Sequence, residues 1–331
     1  MDLTFTISLV LDVLNFATPL LLAATGILIV EKAGVLNLGV EGMMIVGALA
    51  AYMVGAGLAS CGMLGFDGKT CLLDPLLGRW AYLAALVVAG LVGALLAALF
   101  GFLVLVMRAN QVATGLGLTI LGLSLTNAIG TQGLDITGTP LEGFVPRAWY
   151  TSDGWARLLT VNIMTLVALA VLPLALWFLR TVRAGLVLRA VGENHDSAFT
   201  LGYNILRIRF LAILFGGFMS GVAGGYMSLA LIGPSWREGV TNGYGWLALA
   251  LILFGTWRPL RVLLGGILFG LTISLGPRLQ NVAGLPDWFV PLLLPILPYL
   301  VPVVVLALIS FDATMIRRNA PGSLGKTFEP S

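Results

Sequence analysis

Charged side chains make up only 10% of the 331 residues, where an ordinary soluble domain carries about 25%, and that shortage excludes a water-facing globular fold. Histidine occurs once and cysteine twice. His195 stands in an arginine-rich loop with no cysteine nucleophile near it in sequence, and no hydrolytic constellation is read around it. The phosphate-cradling pattern GxxxxGK[ST] is missing too: Gly68-Lys69-Thr70 comes close, but Met63 stands where the first glycine belongs and no strand-to-helix context surrounds it. The formal charge of +3 is too small to suggest nucleic acid as a partner. No basic region precedes the first apolar run and no small-residue cleavage site follows it, so no signal peptide is read there.

What the chain has instead is oil. Apolar residues make up 59% of it, and runs long enough to cross about 30 Å of hydrocarbon, which takes roughly 20 residues, recur almost to Asp312. The fold class read from this is an all-α polytopic membrane protein, one transmembrane domain over residues 1–331, with about nine transmembrane helices and a range of eight to ten. The expected spans are Ile7 to Val30, Val35 to Tyr52, Ala81 to Met107, Val112 to Gly130, Leu158 to Leu179, Phe210 to Ile232, Gly243 to Trp257, Val262 to Leu279 and Phe289 to Phe311. The second and seventh are short and contain glycine, which suggests broken or tilted helices.

Alternation from span to span gathers Lys32, Arg108, Arg180, Arg183, Arg189, Arg207, Arg209, Arg258, Arg261, Arg317, Arg318 and Lys326 on one face, twelve of the eighteen basic residues. The positive-inside rule makes that face cytoplasmic, the N-terminus outside and the C-terminus inside. Residues 57–80 and 131–157 then become periplasmic loops. Cys61 and Cys71 lie in the first of these, where they can form a disulfide or remain two free thiols. With the histidine on the opposite side, the three cannot share a metal. Gly217, Gly221 and Gly225, with Gly216, Ser220 and Gly224 beside them, draw two small-residue stripes along one helix, a pattern that lets backbones approach closely in lipid.

The longest cytoplasmic connection, residues 180–209, reads RTVRAGLVLRAVGENHDSAFTLGYNILRIR. Asn194 or Asp196 can cap a short helix through Ser197 to Leu201, and Gly202 suits the left-handed position that ends it. Such a helix, with Ala198 and Phe199 available and arginines around it, can insert into a groove on another protein. It can also rest on anionic lipid headgroups, although lipid contact alone leaves the compact turn Val191-Gly192-Glu193-Asn194 unexplained.

The segment LRAVGENHDSAFTLGYN resembles the ATPase-coupling loop of permeases serving ribose, branched-chain amino-acid and nucleoside ABC importers, with Gly192, Ala198 and Gly202 at the spacing seen there. Residues 17–48, containing NLGVEGMM, and residues 243–270, containing GTWRP, are similar to two further blocks of that family and look closest to its nucleoside or simple-sugar branch. The resemblance implies a type II-like permease bundle in a bacterial inner membrane. Its implied partners are a separate ABC ATPase subunit that binds the ATP, a second related permease, and a periplasmic or lipid-anchored substrate-binding protein, with membrane lipid around the whole. It implies no cofactor on this chain and no enzyme activity of its own. Coupling to the ATPase would fall to Gly192, Glu193, Asn194, Ala198, Phe199, Leu201 and Gly202, and the cargo would be nucleosides, or else sugars or branched-chain amino acids.

An ionisable group in hydrocarbon is costly and usually functional. That marks Glu41, with Asn37 one turn earlier, as a contact for a polar solute or as a brace for a helix break. Tyr244 and Trp246, which begin the short seventh segment, can stack on a base or sugar or serve as interfacial anchors. Asp12, Asn15, Thr119, Ser124 and Asn127 are weaker candidates of the same kind. A reading from another class is an ion-coupled secondary transporter with Glu41 as its ion site.

Overall fold

The computed structural model describes residues 3–59, 75–130, 161–232, 236–279 and 319–328, with isolated positions at Ile296, Leu300, Val301 and Val304. Among the described residues the regular structure is entirely helical. Ten helices follow one another: α1 (Leu3–Lys32), α2 (Val40–Ala59), α3 (Pro75–Gly101), α4 (Gln111–Gly130), α5 (Ile163–Thr181), α6 (Arg183–Glu193), α7 (His195–Thr200), α8 (Ile205–Tyr226), α9 (Tyr244–Phe254) and α10 (Pro259–Leu279). One wide π-type turn extends α3 over Phe102–Val106 and another extends α8 over Met227–Leu231.

Six of these helices are long and apolar enough to cross a membrane: α1, α3, α4, α5, α8 and α10. The expected seventh span is shorter than that, whereas the second, α2, has 20 residues. The second starts as helix only at Val40, leaving residues 35–39 without helical structure. The seventh, α9, has 11 residues, about 16 Å at 1.5 Å per residue, roughly half the hydrocarbon thickness. The expected ninth span, Phe289 to Phe311, lies outside the described residues save for its isolated positions, as do Cys61, Cys71 and the segment 131–157. Loop 57–80 is shorter than expected, because α2 continues to Ala59 and α3 starts at Pro75.

α8 is the central post. Its Gly216 meets Gly26 and Val30 of α1, Gly224 meets Met44 of α2, and Gly217 and Gly221 meet Gly93, Ala97 and Ala89 of α3. The two small-residue stripes therefore face different neighbours and admit backbone-to-backbone approach on both sides. A buried apolar core of Leu20, Leu28, Met44, Ile252 and Phe269 fills the space between α1, α2, α9 and α10. At the ends of α1 and α10, Arg278 forms an ion pair with Asp12 and donates to Ser8 Oγ at 3.2 Å. This staples the last turn of α10 to the first turns of α1.

Candidate functional site

The break before α2 is built, not frayed. Gly34 takes a φ of +86°, and the chain then runs along one face of α4. Leu36 N–H donates to Gln111 Oε1 at 2.8 Å, and Thr119 Oγ1 donates to the Leu38 carbonyl at 3.2 Å. Gly115, between those two on the same face, lies close against Leu38 and Gly39. Asn37 Oδ1 accepts the Gly39 N–H at 2.8 Å, forming a local turn. Backbone groups that a helix would have satisfied internally are thus met by side chains, the condition for tolerating irregular chain inside a bundle.

Glu41, in the first turn of α2, is 4% exposed. Its Oε1 accepts from Thr241 Oγ1 at 2.5 Å and from Gly243 N–H at 3.0 Å, and its Oε2 accepts from Gly245 N–H at 2.6 Å. Those donors include free amides at the N-terminus of α9, where the helix dipole is positive and a carboxylate is favoured. Gly243 starts α9 with a φ of +82°. A Cβ on Gly245 would sit 2.7 Å from the Glu41 backbone, so α2 and α9 meet backbone to backbone. Glu41 therefore acts on the frame: it fastens α2 and α9 head to head. Beside it, Tyr244 is partly buried against the core and Trp246 is 38% exposed.

The other end of α9 is held by a second carboxylate. After α9 the chain turns through Thr256 and Trp257 at φ values of +48° and +53°, a left-handed pair that costs about 1–3 kcal/mol per residue unless its surroundings fix it. Trp257 Nε1 donates to Glu31 Oε2 at 2.5 Å, both side chains being buried. The GTWRP stretch is thus a strained turn locked onto the last turn of α1.

Around that same end of α1 lies the loop that sequence singles out. α6 leads into α7, whose N-cap Asn194 accepts with Oδ1 from Asp196 and Ser197 N–H at 3.1 Å each. Gly202, at a φ of +86°, ends α7, and Tyr203 N–H bonds back to the Ala198 carbonyl at 3.2 Å. Asn204 then caps α8 by accepting the Arg207 N–H at 3.0 Å. Two expectations are corrected here. Residues 191–193 are the last turn of helix α6, not a separate compact turn. Ala198 is not available to a partner: it is 2% exposed and packs with Val191, Ile205 and Phe328. The outward residues are Phe199, Leu201, Tyr203 and Leu206, of which Leu201 is 74% exposed. Glu193 is also exposed. Gly192 is buried, and a side chain there would collide with the Lys32 carbonyl.

Sequence reasoning missed what holds this loop. Residues 319–328 return beneath it as a strap. Lys32 Nζ donates to the Asn319 carbonyl at 2.8 Å, Ser323 N–H to the Gly192 carbonyl at 2.8 Å, and His195 N–H to Ser323 Oγ at 3.3 Å. Phe328 makes edge contacts with both His195 and Phe199. Arg209, one of the basic residues that alternation puts on the cytoplasmic face, is fully buried. Its Nε donates to the Ala33 carbonyl at 3.1 Å, one terminal nitrogen donates to the Lys326 carbonyl at 3.2 Å, and the other lies 3.3 Å from His195 Nδ1. Guanidinium has no acceptor, so Nδ1 must accept, and His195 is the neutral tautomer with its proton on Nε2. Burial, then the Arg209 charge, holds the His195 pKa below its usual 6.5, against the pull of Asp196. A signal for Arg209 did exist: Ala212, Ile213 and Gly216 share its helical face and are buried with it. For the strap there was none.

The weaker candidates scatter. Asn15 Oδ1 accepts from Tyr226 Oη at 3.4 Å, close to a hydrogen bond of 2.9 Å from Thr18 to Thr165. Asn127 Oδ1 and Trp236 Nε1 are buried without a hydrogen-bond partner among the described residues. Ser124 is exposed.

The family described as branched-chain amino acid transport system / permease component matches residues 9–309. A protein of Haloferax volcanii provisionally named a glucose ABC transporter permease is 34% identical, over 98% of both chains. The nucleoside ABC transporter permease of Lactococcus lactis subsp. cremoris is 29% identical over 91% of both. The guanosine ABC transporter permease of Bacillus subtilis is 27% identical over 83% of this chain and 84% of its own. With a family match over nearly its whole length and relatives of the nucleoside and simple-sugar branch, the chain belongs to the permease family of branched-chain amino acid transport systems and is a multi-pass membrane permease.

Proposed function

We propose that this chain is a transmembrane subunit of an ABC importer that moves nucleosides across the bacterial inner membrane, with its N-terminus outside and its C-terminus in the cytoplasm. The observation that carries this reading is the α7 knob: a six-residue helix, capped at both ends and backed by Gly192 and Ala198, that presents Phe199, Leu201 and Tyr203 outward. A separate ATPase subunit would grip that face. Its ATP-driven closure would push through α6 and α7 on the end of α1, because Gly192 rests against Lys32 and Arg209 joins His195 to Ala33. The chain itself binds no cofactor in this reading, the ATP lying in the partner.

A second related permease would complete the pathway, and a periplasmic or lipid-anchored protein would deliver the substrate. The nucleoside assignment draws on the names of the Lactococcus and Bacillus relatives. Sugar is the second reading, favoured by the Haloferax relative. An ion-coupled carrier using Glu41 is disfavoured, since both carboxylate oxygens already accept from Thr241, Gly243 and Gly245. Trp246, exposed beside that joint, is the better residue for solute contact than Asn37 or Glu41.

The test is uptake of radiolabelled guanosine and glucose in cells carrying Leu201→Glu, with the tagged complex purified in parallel. The expected result is normal membrane levels, loss of the co-purifying ATPase and loss of uptake. Unchanged uptake with no ATPase recovered from the wild type would refute the reading. Ala198→Arg is the poorer probe, because it would unpack the knob from within.

A further inference from the structure

We propose that a lateral cavity between α5, α6 and α8 is a binding site for an anionic phospholipid. Its apolar part would take an acyl chain, and Arg180, Arg183 and Arg207 would hold the phosphate. The cavity measures about 700 Å³, within the roughly 300–1,000 Å³ of ligand pockets, and no charged side chain lines it. α5 supplies Leu174 and Trp177, α6 supplies Ala184 and Val187, and α8 supplies Leu211 and Phe215. Leu174, Trp177 and Leu211 are 62%, 58% and 57% exposed, so the cavity opens sideways, where a spanning helix meets lipid.

The occupant is indicated by charge. Along α8, Arg207 lies four residues before Leu211 and eight before Phe215, which puts the three on one helical face. Arg180 follows Trp177 by three residues along α5, and Arg183 precedes Val187 by four along α6, again one face each. α5 enters this end of the bundle and α8 leaves it, so all three arginines gather at the same end, beyond the apolar lining. All three are exposed, and none is ion-paired or hydrogen-bonded through its side chain to a described residue. An apolar slot between spanning helices, closed by an interfacial helix and rimmed by cations, has the chemistry that holds an acidic headgroup and its tail together. The transport assignment is not needed for this inference.

The test is photolabelling of the full chain, purified with whatever subunits accompany it and reconstituted in nanodiscs. The probes are phosphatidylglycerol and phosphatidylcholine carrying the same diazirine-tagged acyl chain. Phosphatidylglycerol should label residues 171–188 and 208–219 several-fold more than the lipid-facing residues 87–99 of α3, and phosphatidylcholine should not. At about fivefold per arginine, Arg180→Gln combined with Arg183→Gln should lower the labelling to the α3 background. Leu211→Trp, which fills the slot, should remove it while α3 keeps its background, so a folding defect would be visible. Equal labelling by both lipids, labelling no higher than on α3, or a protein cross-link that shields the slot would each overturn the proposal.

Discussion

The two ends of α9 are both tied down by a buried glutamate, yet the ties differ in kind. At the N-terminus Glu41 meets three donors and the positive pole of the helix, so its charge is stabilised by hydrogen bonds and dipole together. At the far end Glu31 meets a single indole N–H beside the negative pole, and the turn it serves carries two left-handed residues. One joint is a cap and the other is a clamp on a strained turn. The difference teaches that a carboxylate in an apolar frame is defined by how many donors converge on it, not by its burial, since both are buried.

The sharpest way to break this comparison is Glu41→Ala. It strands two backbone amides and a hydroxyl, at about 1–3 kcal/mol each, so the purified protein should lose at least about 3 kcal/mol of stability, read as an early loss of monodisperse protein on heating in detergent. Glu41→Gln keeps one acceptor but turns an amide NH₂ toward donors. An intermediate loss of about 2 kcal/mol is expected, and a value matching wild type would mean that the dipole contributes nothing. Glu31→Gln keeps the acceptor for Trp257 and removes a charge from the negative pole, so its cost should stay under about 1 kcal/mol. If Glu31→Gln proves worse than Glu41→Gln, the ranking of the two ends is wrong.

The smallest effect concerns the strap and its contact with His195. His195 faces Arg209 from α8, Asp196 from α7 and Lys326 from the strap. Its folded pKa lies below 6.5, so its contribution is fully present above pH 6.5 and is lost as pH falls through the folded value. Protection of residues 183–209 against hydrogen exchange, corrected for the intrinsic rate, should fall from about pH 8 to about pH 5, and His195→Ala should flatten that fall.

Much of this frame was legible in sequence, and the limits have a common cause. Short-range chemistry could be read: Asn194 or Asp196 as a cap, Gly202 as a left-handed stop, the glycine stripes of α8, and a seventh span too short to be ordinary. Glu41 and the seventh segment were each conspicuous alone. That they are partners could not be read, because 204 residues separate Glu41 from Gly245 and one chain carries no trace of such a pairing. Ala198 was misjudged for the same reason. A six-residue helix has too few turns to define an inner face by itself, and the side that became inner was decided by Phe328 arriving from the far end of the chain. Arg209 differs: its apolar companions at three, four and seven residues were visible, but its charge was used only to place it with the basic residues of the cytoplasmic face.

The strap also sets an order of events in biosynthesis. A ribosome delivers the Lys326 carbonyl 117 residues after Arg209, so during translation one terminal nitrogen of that guanidinium and the inner side of α7 must wait for their partners until the strap emerges. Completion of the α7 surface is therefore tied to the arrival of the strap, and a chain still short of residue 328 leaves Ala198 without one of its packing partners.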